Sequence, residues 1–547
     1  MASLFLLAVV CLLISYRFYG NFLLRTFQLT NKEQTPAHQT ENQNKIDFSP
    51  TSKFVLFSHH FASIAGAGPI VGPIIALSFG WLPVYLWLLF GAIFIGGVHD
   101  FSSIAVSVKN RGSSLAEILK KQSSKKTKVI FLLFTWLTLL IVIAVFTNLV
   151  LKTFQTKPST FTSSVISLLL ALVLALTRKY TKISFKLVSF FCVLLLLFSV
   201  KFGLDFPVQI STTWLIVLIF FYILFSSISP VWLLLQPRDF LNSFLLYALI
   251  ILGVLGLLTS RPEINLPSYT SFQTKDLGFL FPILFITVAC GAVSGFHSWV
   301  GSGTSSKQLN QQTDSKSIGY GAMLLESLLA IFALFAASSL TLEEFSALYK
   351  QKNFILIFAQ GTGNLISKIP FFSNLSLIKA ISVNFAALAV SAFILTTLDT
   401  SSRLARITLQ EVFSELKIKS FFSSDLLTTL ITLSLAGLLF FSKSSLSIWP
   451  IFGCANQLLA VFALLTIFLH LASHRPNKNN QFVLFPLVFI SFATFCALFL
   501  KLFESLLKQD YLIIFISLLL LVISSFIILD CFVQFRKNKN DLPKRRN

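Results

Sequence analysis

Runs of roughly 17 to 25 apolar residues recur along the whole chain, each closed at its ends by polar or basic residues. In lipid hydrocarbon no water reaches backbone N–H and C=O groups, so a run of this kind must close its own hydrogen bonds as an α-helix. Fifteen runs are legible, at 2–24, 54–79, 81–108, 129–151, 161–177, 184–204, 212–236, 243–259, 278–302, 319–340, 373–398, 422–441, 444–471, 481–501 and 511–533. The chain is therefore expected to be an all-α polytopic membrane protein with about fifteen transmembrane helices. Composition agrees: 55% of residues are hydrophobic, 12% are charged and the mean hydropathy is +0.81, outside the range of a soluble domain. The first run lacks a basic leader and a small-residue cleavage site, and Tyr16 and Arg17 precede its end. It is read as a retained helix.

The 43 Lys and Arg residues, against 21 Asp and Glu, set a net charge of +22. With the N-terminus outside, thirty of the 43 lie in inward-facing loops and the basic tail, which is the asymmetry that cytoplasmic loops show. The expectation is a membrane protein with a cytoplasmic C-terminus. The basic residues sit in short juxtamembrane loops, so the charge reflects membrane topology and a lipid-bilayer partner, and no nucleic-acid partner is expected. The six cysteines are scattered among apolar runs with no paired spacing, so neither a disulfide framework nor a metal site is expected. The longest segments between runs, 25–53 and 341–372, are too short for a soluble catalytic domain, and no phosphate-binding loop or HExxH motif occurs. The chain is not expected to be an enzyme or an ATP-driven pump.

Residues 57–76, FSHHFASIAGAGPIVGPIIA, place two histidines, three glycines and two prolines in one span. Glycine and proline interrupt helices, and in a membrane the released backbone groups persist only where protein or a water-filled cavity surrounds them. A second interruption is expected in span seven, where FSSISPVWLLLQPRDF carries Pro230 and Pro237. Spans two and seven are five apart and oppositely directed, as an inverted repeat of five helices requires. The architecture resembles the leucine-transporter fold: 54–204 and 205–420 form the two halves, while 1–53, spans twelve to fifteen within 421–533, and the tail 534–547 are peripheral. Unwound helix middles expose N–H and C=O dipoles that bind ions or anionic groups. The expected central site joins Gly66, Ala67, Gly68, Pro69 and Gly72 to Ser226, Ser227 and Ser229.

Polar residues in apolar spans are costly and commonly face a cavity. Span nine, ACGAVSGFHSWVGSGTSSKQL, places His297 and Ser298 among small residues, and His297 is expected to face the central site. His59, His60 and Asp100 lie toward the cytoplasmic side, where protonation or gating is expected and where interfacial capping or a structural ion pair is the alternative. Asp399 and Arg403 are spaced i,i+4, which suits a structural or gating salt bridge. Glu326 is a lone acid in span ten without a visible partner. Asn456 and Gln457 follow a proline in span thirteen, where amides glue helices or line a pathway.

The segments HHFASIAGAGPIVGP, GVHDF, PVWLLLQPRD, GAVSGFHSWVGSGT, LDTSSRLAR and PIFGCANQLLA, in this order, closely resemble the signature segments of the carbon starvation protein A family. The resemblance runs from about residue 16 to about residue 470. The family pattern has glutamine before the aspartate of span three, where this chain has His99. The resemblance implies an inner-membrane secondary transporter related to the amino acid, polyamine and organocation superfamily, importing small carboxylates such as pyruvate, or short peptides, under nutrient limitation. The coupling cation so implied is a proton, with sodium as the alternative, and no other cofactor is implied. A nutrient-sensing receptor and an ion channel are the rival classes. The sequence carries neither a signalling domain nor filter-like repeats, and it leaves the oligomeric state open.

Overall fold

The computed structural model describes residues 1–39, 48–230, 232–372, 377–418, 424–442, 445–474 and 480–540. Helices dominate, and among the described residues the strands are one antiparallel pair, Gln273–Thr274 with Gly278–Phe279. In chain order the helices begin with α1 (Ala2–Phe27), α2 (Lys53–Ile64), α3 (Gly68–Ala76), α4 (Trp81–Gly91), α5 (Gly97–Lys109), α6 (Leu115–Lys120), α7 (Lys125–Thr156), α8 (Pro158–Tyr180) and α9 (Phe185–Asp205). They continue with α10 (Thr212–Ile228), α11 (Leu235–Ser260), α12 (Leu280–Thr287), α13 (Ala289–Ala292), α14 (Gly295–Gly303), α15 (Ala322–Ser338), α16 (Leu342–Lys350) and α17 (Phe354–Ser367). The last five are α18 (Ile378–Glu415), α19 (Asp425–Phe441), α20 (Ser445–His474), α21 (Gln481–Lys508) and α22 (Tyr511–Asn540).

Each of the fifteen apolar runs overlaps a helix among the described residues. Eleven helical spans are long and apolar enough to cross a bilayer alone, and α2 with α3, bent by 43°, makes a twelfth. The other three runs are met by α10 and α19, of 17 residues each, and by the divided α12–α14. The molecule is an integral membrane protein. Span thirteen, expected at the periphery, lies at the centre instead: 94% of the apolar window of α20 is buried, against 22% for α1. The reason is packing, because α20 is wedged among α5, α7, α14 and α21.

Span two breaks where the sequence indicates. α2 ends at Ile64, Ala65 turns to a non-helical ψ of 66°, and Pro69, which has no N–H to lose, stands at the start of α3. Two glycines let α3 approach its neighbour. A Cβ on Gly68 would collide with the Cys290 side chain, and one on Gly72 would come within 2.6 Å of the Thr287 carbonyl oxygen.

The second broken span is not span seven. α10 ends at Ile228 and α11 is a continuous helix from Leu235 to Ser260, so Pro230 lies in the link between two spans. Pro237 sits in the first turn of α11, where a missing N–H costs no helical bond. The runs 212–236 and 243–259 are therefore corrected to Thr212–Ile228 and Leu235–Ser260. Span nine is the divided one, with extended backbone at Val293 (φ −162°, ψ 135°) and Ser294 (φ −139°, ψ 125°). The spans that follow the two breaks each carry a π turn, at Ala92–Gly96 between α4 and α5 and at Lys316–Gly321 before α15.

Candidate functional site

The two breaks meet. Ile64, Gly66 and Gly68 from span two face Cys290, Ser294 and Phe296 from span nine around a small cavity, closed by Val142 and Phe146 of α7, Thr397 of α18, and Phe452 and Asn456 of α20. Its volume of ≈ 20 Å³ is enough for about one water molecule.

Asn456 and Gln457 hold the broken span together. The Asn456 Oδ1 accepts the Phe296 N–H at 3.0 Å in the first turn of α14, and its Nδ2 donates to Ser294 Oγ at 3.0 Å. The Gln457 Nε2 donates to the Phe285 carbonyl at 2.6 Å, while Thr494 donates to its Oε1 at 3.0 Å. Released backbone groups are thus matched by amides from a neighbouring helix, as a break at membrane depth requires.

Beside the cavity, α2, α5, α14 and α15 bring four titratable side chains and a fifth, His60, into one buried cluster. His297 Nδ1 lies 2.8 Å from Asp100 Oδ2, and its Nε2 lies 3.2 Å from Glu326 Oε2. His99 Nδ1 lies 2.7 Å from the other Asp100 oxygen. All four residues are at most 2% exposed. An imidazole can donate from both nitrogens only when it carries a proton. A carboxylate lies near each nitrogen of His297: Asp100 is hydrogen-bonded at Nδ1, while Glu326 stands at ion-pair distance from Nε2 without hydrogen-bond geometry. His60 is near enough to feel the charges of Asp100 and His297, but its Nδ1 is hydrogen-bonded at 2.7 Å to Ser305, and its Nε2 is buried without a hydrogen-bond partner among the described residues. His59, on the same helix, is only partly buried.

Several sequence expectations change here. His297 follows the cavity-lining Phe296 but turns to Asp100 and Glu326. Ser298 Oγ donates to the Gly295 carbonyl within its own helix. Glu326, which shows no partner in the sequence, is the acid on the far side of His297. Its partner is 29 residues away in the chain, and only the tertiary arrangement, in which α2 and α5 each pack against both α14 and α15, makes the pair. His99, in place of glutamine, still presents a ring nitrogen to the Asp100 carboxylate.

Ser226, Ser227 and Ser229 do not join Gly66 and Gly68. Ser227 Oγ lies 3.2 Å from Thr429 Oγ1, and Ser229 Oγ donates to the Phe225 carbonyl at 2.6 Å. They belong to a second polar network between α10, α11 and α18. The i,i+4 pairing of Asp399 with Arg403 is replaced there: Asp399 Oδ2 binds Arg238 Nη1 and accepts from Tyr222 at 2.7 Å. Arg403 Nη2 instead donates to the carbonyls of Ser229, at 2.6 Å, and Ser226, at 3.1 Å. The end of α10 exposes unpaired carbonyls, and a guanidinium from α18 fits them better than it fits a carboxylate already occupied by Arg238.

Among the described residues, no three His, Cys, Asp or Glu side chains converge as a metal-ion site. The chain matches the family described as carbon starvation protein CstA over residues 1–356 and 344–497. It is 33% identical over 517 residues to the peptide transporter CstA of Bacillus subtilis, covering 86% of each chain. It is 31% identical over 577 residues to the pyruvate/proton symporter BtsT of Escherichia coli, covering 90% of this chain and 80% of that one. Among solved structures, a manganese transporter of Eremococcus coleocola aligns with 91% of this chain and 99% of its own, at 14% identity and a TM-score of 0.49.

Proposed function

The chain belongs to the carbon starvation protein CstA family and is a transporter of it, and from this premise we propose that it imports small carboxylates such as pyruvate, or short peptides, by proton symport under nutrient limitation. One observation carries the reading: two broken helices meet at a central cavity, and a buried histidine held between two carboxylates stands one residue from the cavity wall. Substrate occupies the space between the Gly66–Gly68 break and the Cys290–Phe296 break. Helix dipoles and backbone N–H groups there suit an anionic end. The coupling proton resides on the His297, Asp100 and Glu326 unit, with His99 orienting Asp100 and with His59 and His60 leading from α2. Asp399 and Arg403 brace the inner gate.

The halves of the inverted repeat begin at the two broken spans, near Lys53 and near Leu280, and this replaces the division at residue 205. The matching π turns in the next span of each half support the assignment. The N-terminus lies outside and the C-terminus in the cytoplasm, as the Lys and Arg asymmetry supports.

Purified protein in liposomes, with labelled pyruvate or a labelled dipeptide outside and an imposed pH gradient, tests the reading. Accumulation above the gradient-free control is the expected result. If neither compound moves under a proton or a sodium gradient, the substrate class is wrong. If a sodium gradient alone drives uptake, the coupling ion is wrong.

A further inference from the structure

The network between α10, α11 and α18 holds a carboxyl group that the scheme above does not use. Asp239 is 5% exposed, and among the described residues neither of its oxygens is met by a donor in good hydrogen-bond geometry. The nearest cation, Arg238 Nη2, is 3.8 Å away and donates instead to Thr396 Oγ1 at 2.8 Å. Thr396 Oγ1 is also 3.0 Å from the Ala392 carbonyl, to which it donates, and among the described residues it is the one uncharged side chain that acts on Asp239. The charged groups that act on Asp239 are Arg238 on its own helix and Asp399 on α18. Arg403 and Tyr222 lie beyond them, committed to the end of α10 and to Asp399.

One guanidinium therefore stands between two buried carboxyl groups and has chosen Asp399. An ionised carboxylate buried beside it without a well-made hydrogen bond is strongly disfavoured, and a protonated one avoids burying that charge. We propose that Asp239 is a proton-carrying residue of the transport cycle, and that its proton decides which carboxylate Arg238 holds. With Asp239 protonated, Arg238 binds Asp399 and ties α11 to α18, the state seen here. When Asp239 gives its proton to water at the cytoplasmic side, Arg238 turns to the new carboxylate beside it. The link to Asp399 then breaks and the start of α11 is released. The inference rests on the proton-coupled reading above and adds a second proton site to it, at the inner end of α11.

The closed link holds the proton, so it is complete at low pH and lost as the pH rises through the titration of Asp239. Hydrogen–deuterium exchange of the full-length protein in lipid nanodiscs, without substrate, reads this directly. After correction for intrinsic exchange, residues 235–246 at the start of α11 are expected to exchange about tenfold faster at about pH 9 than at about pH 5, the scale of one pKa unit of differential interaction. Asp239→Asn should keep the segment protected at both values, Asp399→Asn should leave it fast at both, and Asp239→Glu should restore the pH dependence. Exchange that is flat with pH in the unaltered protein, or an Asp239→Asn variant that follows the unaltered one, would overturn the proposal. Failure of pyruvate or dipeptide uptake with the pH-dependent exchange intact would count against the substrate class alone.

Discussion

Replacing Asp100 by Asn removes one charge from the His297 cluster and changes little else in shape. Asp100 accepts from two imidazoles at 2.7 and 2.8 Å, both at most 1% exposed. Asn offers one carbonyl oxygen in place of two carboxylate oxygens, so one histidine then faces an amide N–H. Charge-assisted bonds contribute about 1.5 to 3 kcal/mol each, and breaking a buried pair from one side costs about 3 to 5 kcal/mol. Asp100→Asn is therefore expected to destabilise the protein by about 3 to 5 kcal/mol. His297→Gln alone should cost a similar amount, because it leaves Asp100 and Glu326 facing each other without the cation between them. In the double variant the partners are neutralised together, so the loss should fall short of the sum by about 2 to 3 kcal/mol. Denaturant or thermal unfolding in detergent, followed for the four proteins, measures that coupling. Uptake under a pH gradient should be abolished in all three variants, since restored stability does not restore a proton site. A coupling energy below about 0.5 kcal/mol, the ordinary error of additivity, would refute the picture of one interdependent unit. So would gradient-driven uptake that survives Asp100→Asn.

Gly72→Ala should destabilise by about 1 to 3 kcal/mol and impair uptake, because the new methyl meets the Thr287 backbone, which cannot rotate away as a side chain could; thermal unfolding beside uptake tests it, and an unchanged protein would contradict the close approach. Asn456→Leu should cost about 1 to 3 kcal/mol, since the Phe296 N–H loses its 3.0 Å acceptor at the start of α14, and uptake should fall with it. Lys128→Met should lower the unfolding temperature through loss of ion pairs with Glu117, Glu411 and Glu415 at 3.2, 2.9 and 2.8 Å. The three acids are partly exposed, so about 1 to 2 kcal/mol is expected, shrinking in high salt.

The central helix break was readable because its cause is local: AGAGP cannot continue a helix, whatever surrounds it. The break in span nine has no proline, and its signal, CGAVSG, is also what close helix packing looks like. The prolines of span seven gave the opposite error, since a proline in the middle of an apolar stretch and a proline between two helices look alike along the chain. Among site residues, His297, Asp100 and His60 stand out as ionisable groups in apolar spans. Glu326 and Arg238 need partners from other helices before their roles are visible.

Local backbone chemistry and hydropathy thus determined the helical class, the positions of the spans and the first break, because in lipid each segment must satisfy its own hydrogen bonds. Tertiary packing alone decided that α20 is central, that span nine meets span two, that Asp399 binds Arg238 and that His297 lies between two acids. Those facts depend on which helix faces stand together, and charge pairing across helices is set by distance in space, which spacing along the chain does not encode.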